Sequence, residues 1–83
     1  MITTGRTAFV LISCRSGAEQ DVLEKLKKME SVKEAYIVYG VYDLLVVVKA
    51  ESSEKVKEMI QSKIRKMENV TSTVTMIAVG EQS

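Results

Sequence analysis

Tyr36-Ile37-Val38-Tyr39-Gly40-Val41-Tyr42-Asp43-Leu44-Leu45-Val46-Val47-Val48 decides how this chain is read. Two apolar, β-prone runs flank Gly40, and the second contains the unbroken aliphatic block Leu44 to Val48. Val, Ile and Tyr favour strands because branched or flat side chains pack well on a pleated surface. Gly40 supplies the positive φ of a tight reversal, and Asp43 can hydrogen-bond turn amides. The stretch therefore predicts a β-hairpin at the heart of a small sheet.

Working outward, Thr7 to Cys14 reads as a first strand. Ser16 and Glu19 fit a capping box that opens a helix. Ala18, Val22, Leu26 and Met29 repeat at helical spacing, with Leu23 widening the stripe. Glu19, Asp21, Glu24, Lys25, Lys27 and Lys28 form a solvated opposite face, acids leading and lysines trailing as the helix dipole favours. Strand two is expected from Lys33 to Tyr39 and strand three from Asp43 to Ala50. Ser52 or Ser53 caps a second helix, whose stripe is Val56, Met59, Ile60, Ile64 and Met67. A last strand spans Val70 to Val79. Residues 1–6 are then a short extension, 7–79 the domain and 80–83 a frayed tail.

Lys25-Leu26-Lys27-Lys28-Met29-Glu30-Ser31-Val32 recurs as Lys63-Ile64-Arg65-Lys66-Met67-Glu68-Asn69-Val70, 38 positions on, with five of eight residues identical. Both copies join a helix to a strand, so the chain is two similar β-α-β halves. The expected fold is α+β, ferredoxin-like βαββαβ. Right-handed crossovers give a four-stranded antiparallel sheet in the order 4-1-3-2, with both helices on one face. Alternation puts Ala8, Val10, Ile12, Leu44, Val46 and Val48 under the helices. Phe9, Leu11, Leu45 and Val47 fall on the open face, joined by Tyr36 and Val38 from strand two and Thr73, Thr75 and Ile77 from strand four. Monomers rarely expose an apolar patch beyond a few hundred Å², so a homodimer packed sheet to sheet is expected, with Phe9, Leu11, Tyr36, Val38, Leu45 and Val47 in its interface.

At 83 residues the chain makes one domain and buries only about 60–65% of its unfolded surface, which also favours oligomerisation. Twelve basic and eleven acidic residues leave a net charge of +1, without the basic field of a nucleic-acid binder. There is no histidine, hence neither the commonest general base nor the commonest metal ligand. No catalytic triad, metal spacing or phosphate loop is present, and the reading is of a non-enzyme without cofactor or metal. Cys14, the single cysteine, forms no internal disulfide and reads as a small core residue. The absence of a signal sequence or spanning segment points to a cytoplasmic protein.

The strand order, together with Val32-Lys33-Glu34-Ala35-Tyr36, Gly40-Val41-Tyr42-Asp43-Leu44 and Val70-Thr71-Ser72-Thr73, resembles the effector (RAM) domain of Lrp/AsnC transcription regulators over about residues 7 to 79. Full-length members carry an N-terminal helix-turn-helix domain. Only Met1 to Arg6 precede the first strand here, so the likeness is to the stand-alone form, and no direct DNA binding is expected. The resemblance implies dimers closing into octameric or decameric rings, a free amino acid as effector, and modulation of full-length Lrp/AsnC regulators. Residue by residue it implies ligand binding by Gly40, Val41, Tyr42 and Asp43, with Thr73, Thr75, Met76 and Ile77 carried over by position on strand four. A zwitterion needs donors for its carboxylate and an acceptor for its ammonium group. Gly40 lets backbone amides approach the former, and Asp43 can accept from the latter. The competing reading is an oligomeric scaffold with no small-molecule effector.

Overall fold

The computed structural model describes residues 6–79. The extension, apart from Arg6, and the tail at 80–83 lie outside the described residues. Strands β1 (Arg6–Cys14), β2 (Val32–Ile37), β3 (Leu44–Ala50) and β4 (Val70–Ile77) alternate with helices α1 (Glu19–Lys27) and α2 (Ser53–Met59). The antiparallel sheet has the order β2-β3-β1-β4, which is the expected 4-1-3-2. The two most apolar strands occupy its centre because they alone are flanked on both edges.

The helix-side parity is as expected. Ala8, Val10, Ile12, Leu44, Val46 and Val48 are all fully buried, against Val22, Leu26, Val56, Ile60 and Ile64 from the helical layer. Fully burying each of these larger aliphatic chains contributes about 1.5–3 kcal/mol. Among the described residues, no buried side-chain polar atom lacks a partner.

The sequence repeat is a structural repeat. The Met29 amide donates to the Leu26 carbonyl at 3.0 Å and Val32 to Met29 at 3.1 Å. Thirty-eight residues on, Met67 donates to Ile64 at 3.1 Å and Val70 to Met67 at 3.2 Å. Each copy drops a buried aliphatic anchor, Leu26 or Ile64, into the core and launches an edge strand three residues after its methionine.

Four expectations are corrected. The α1 capping box is only half made: Glu19 Oε1 accepts from the Gly17 amide at 3.1 Å, but Ala18 is the N-cap and Ser16 does not cap. Gly17, at φ +88°, turns the chain so that Ser16 is carried away from the first turn. Secondly, α2 passes into a π-helical turn at Ile60–Ile64, closed by the Arg65 amide on the Ile60 carbonyl at 2.8 Å. Thirdly, β2 stops at Ile37, so Val38 and Tyr39 belong to a wide connection and not to the strand. Lastly, β4 has the opposite parity to that expected. Phe9 pairs with Met76 and Leu11 with Val74, so Val74 and Met76 share the open face, while Thr73, Thr75 and Ile77 face the helix side.

Candidate functional site

The β2–β3 connection, residues 38–43, is built around Asp43. Its amide donates to the Ile12 carbonyl at 2.9 Å, its carbonyl accepts from the Val38 amide at 2.9 Å, and its Oδ2 accepts from the Cys14 amide at 2.9 Å. The last bond falls where the β1–β4 register shifts between Ser13 and Cys14. Groups along β1 alternate between its two neighbours, so the Cys14 amide points to the β3 side just past the last pair, Ile12 with Leu44, and the Asp43 carboxylate supplies the partner that the ladder no longer offers. Asp43 thus ties the connection to the end of the central strand.

Above this anchor the connection is open. Tyr39 and Val41 are almost wholly exposed, and Tyr42 is half-buried. Gly40 has φ +151°, where an L side chain is strained. Among the described residues, no backbone hydrogen bond engages the amides of Tyr39, Gly40, Val41 or Tyr42. Four backbone donors of the connection are therefore without a backbone partner.

A cleft of about 420 Å³ opens at this end of the sheet, lined by Gly17, Glu19, Gln20, Ile37, Val38, Tyr39 and Asp43. The sequence places Glu19 on a solvated face and gives no role in a site to Gly17 or Gln20. The order 4-1-3-2 held the missing signal, because it sets the end of β1 and the start of α1 beside the start of β3. Two carboxylates bear on this region: the Cys14 thiol is pushed above its ordinary value by burial, then by Asp43, then by Glu19. The cleft thus carries the carboxylates of Glu19 and Asp43 and has apolar walls from Ile37 and Val38.

The other expected ligand residues do not join it within one chain. Thr73 and Leu44 both pair with Ile12, on opposite sides of it, so Thr73 lies about 10 Å from β3. Ile77 pairs with Ala8, about 13 Å further along the sheet. Met76 faces the open side, opposite to Thr73, Thr75 and Ile77. The β4 residues therefore do not line this cleft within the described residues of one chain.

The open face carries Phe9, Leu11, Leu45 and Val47 at its centre, flanked by Tyr36 on one side and Val74 and Met76 on the other. Phe9 is 38% exposed, Tyr36 49% and Met76 47%. The Tyr36 hydroxyl donates to Glu34 Oε1 at 2.7 Å, and that bond is the main cause of the raised pKa of the phenol. Val38, expected on this face, instead lines the cleft beside Asp43.

A family model of the Lrp/AsnC ligand-binding domain matches residues 7–82. An uncharacterised helix-turn-helix-type transcriptional regulator of Pyrococcus furiosus is 39% identical over 80 residues, which are 93% of this chain and 53% of that protein. The chain spans about half the length of the curated relatives it matches. Among solved structures, a hypothetical protein from Pyrococcus horikoshii is 47% identical, with a TM-score of 0.85 and 92% of each chain covered. A feast or famine regulatory protein of M. tuberculosis, complexed with L-methionine, is 26% identical at a TM-score of 0.76, over 92% of this chain and 51% of that one. The curated relatives carry the names of helix-turn-helix-type transcriptional regulators, and the chain belongs to the Lrp/AsnC ligand-binding domain family.

Proposed function

We propose that this domain senses a free amino acid and, as an oligomer, modulates Lrp/AsnC-type transcription regulators. The observation that carries the reading is the Asp43 carboxylate in the lining of a cleft, with residues 39–42 of the same connection making no backbone hydrogen bond through their amides. Those groups match the two ends of a zwitterion: the carboxylate takes the ammonium, and the amides take the carboxylate. Oδ2 of Asp43 is already held by the Cys14 amide, which leaves Oδ1 for the ligand. The L-methionine bound to the mycobacterial relative supports an amino acid as the ligand class.

Assembly is supported by the open face. Seven apolar or aromatic side chains from four strands lie on one surface with no cover from another element among the described residues. A second sheet packed against it removes that area from water, at roughly 25 cal/mol per Å² of apolar surface. Of the β4 residues expected at the ligand, Met76 lies on this face and would be covered by the second sheet. Mixed assembly with regulators of the same family carries the signal to DNA.

One observation favours a scaffold reading. Asp43 has a complete structural role without any ligand, pinning the connection to β1. Thermal unfolding in the presence of each of the twenty amino acids separates the two. A ligand at a hundred times its Kd stabilises the folded state by about 2.7 kcal/mol. The sensing reading expects one or a few amino acids to raise the Tm at millimolar concentration; no shift with any of them favours the scaffold.

A further inference from the structure

The cleft beside Asp43 is one-sided in its charge. Glu19 and Asp43 line it, and no lysine or arginine does. The chain as a whole is balanced, with twelve basic and eleven acidic residues, so the bias is local. Both acids are half-buried, where salt screens a charge less than it does on an open surface. Their fields meet at one corner: the Cys14 thiol is raised by burial, then by Asp43, then by Glu19.

The polar groups of the lining are mainly acceptors, and the two acids are fixed by the backbone. Glu19 Oε1 accepts from the Gly17 amide at 3.1 Å, and Asp43 Oδ2 accepts from the Cys14 amide at 2.9 Å. Among the described residues, no hydrogen bond engages the other oxygen of either carboxylate. Gln20 Nε2 donates to Glu24 Oε2 at 3.0 Å, so its donor end is turned to the next turn of its own helix. An ionised carboxylate only accepts. A ligand that satisfies both acids must therefore bring donors to two places, and Ile37 and Val38 offer it apolar contact in the same cleft.

We infer that the cleft selects an amino acid with a cationic side chain, Asp43 taking the α-ammonium group and Glu19 the cation at the far end. The inference rests on the sensing reading and narrows it. An aliphatic stem lies against Ile37 and Val38, and an ammonium or guanidinium head supplies only donors. Each charged end then makes a charge-assisted hydrogen bond to a carboxylate oxygen that the protein leaves open. A neutral side chain of the same length fills the apolar part and leaves Glu19 unpaired. An anionic side chain meets a like charge, which is how a site rejects the wrong partner. Glu19 is thus the specificity-determining residue of the site, and Asp43 the residue common to every ligand.

Calorimetric titration of the wild-type protein with lysine, arginine, norleucine and glutamate tests the selection. Norleucine is lysine without its terminal nitrogen, so the pair isolates the far cation. Lysine or arginine should bind more tightly than norleucine by about fivefold, the upper range for an ion pair open to water, and added salt should shrink that ratio. Glutamate should not bind at millimolar concentration. Glu19→Gln keeps an acceptor for the Gly17 amide and removes the charge, so the ratio of lysine to norleucine affinity should fall towards one. A neutral or acidic amino acid that binds wild type as tightly as lysine and arginine do overturns the inference and leaves the sensing reading standing. A preference for lysine that survives Glu19→Gln overturns it equally. If no amino acid binds wild type, the sensing reading fails and this selection with it.

Discussion

Asp43 was legible in the sequence as a hairpin acid, but its strongest contact was not. Its Oδ2 accepts from the amide of Cys14, 29 positions earlier in the chain, and no local pattern announces a bond of that span. The consequence is a difference between two substitutions. Asp43→Asn keeps an acceptor for the Cys14 amide, whereas Asp43→Ala leaves that amide unpartnered. A hydrogen bond to a charged group contributes about 1.5–3 kcal/mol, so the alanine variant should lose stability of that order in urea unfolding, and the asparagine variant much less. Equal losses would show that the charge, and not the bond, holds the connection. Cys14 reports on the same corner. Burial, Asp43 and Glu19 all raise its folded-state pKa above 9.0, so folding favours the neutral thiol. That contribution is fully present below the unfolded pKa and is lost as pH rises through the folded one. Stability should therefore fall on the alkaline side of pH 9.0, and a Cys14→Ala variant measured over the same range should show a shallower fall.

At the scale of elements, hydrophobic period was the reliable guide. The stripes Ala18-Val22-Leu26 and Val56-Ile60-Ile64 are the buried faces of the helical layer, because a 3.6-residue repeat leaves few other arrangements. The parity of β4 was misread for a physical reason. Alternation alone leaves two parities for β4; which one faces the open side is set by register with β1, and Phe9 opposite Met76 fixes it. An open face awaiting a partner can carry Val74 and Met76 more readily than a solvated one. The π-helical turn after α2 had no signal in composition at all. The start of α2 was clearer: Ser52 Oγ accepts from the Lys55 amide at 3.2 Å. Losing such a cap costs about 1 kcal/mol, so Ser52→Ala should lower the midpoint of unfolding accordingly. In the β2–β3 connection, Gly40 is required by its φ of +151° and not by crowding, as nothing lies within 4 Å of an added Cβ. Gly40→Ala should cost about 1–3 kcal/mol of backbone strain, unless the connection relaxes. A variant as stable as wild type would show that it does.

For the whole molecule, topology followed from the repeat and the apolar block, while the site did not. The cleft joins Gly17 and Glu19 to Asp43, which are distant in sequence and meet only because β1 and β3 are neighbours. The remaining expected residues on β4 do not line it within the described residues of one chain. Leu45 lies at the centre of the open face, so Leu45→Lys should reduce the oligomer mass seen by light scattering while leaving the buried core intact. An unchanged mass would place the main contact elsewhere. The central claim is amino-acid binding with Asp43 at the ammonium end, and calorimetric titration of the assembled protein with the stabilising amino acid tests it most directly. The account predicts saturable binding to wild type that Asp43→Asn weakens by about tenfold to a hundredfold, the equivalent of a 1.5–3 kcal/mol charge-assisted bond, with assembly mass unchanged. Binding of equal strength to both proteins, or none to wild type at millimolar concentration, would contradict it.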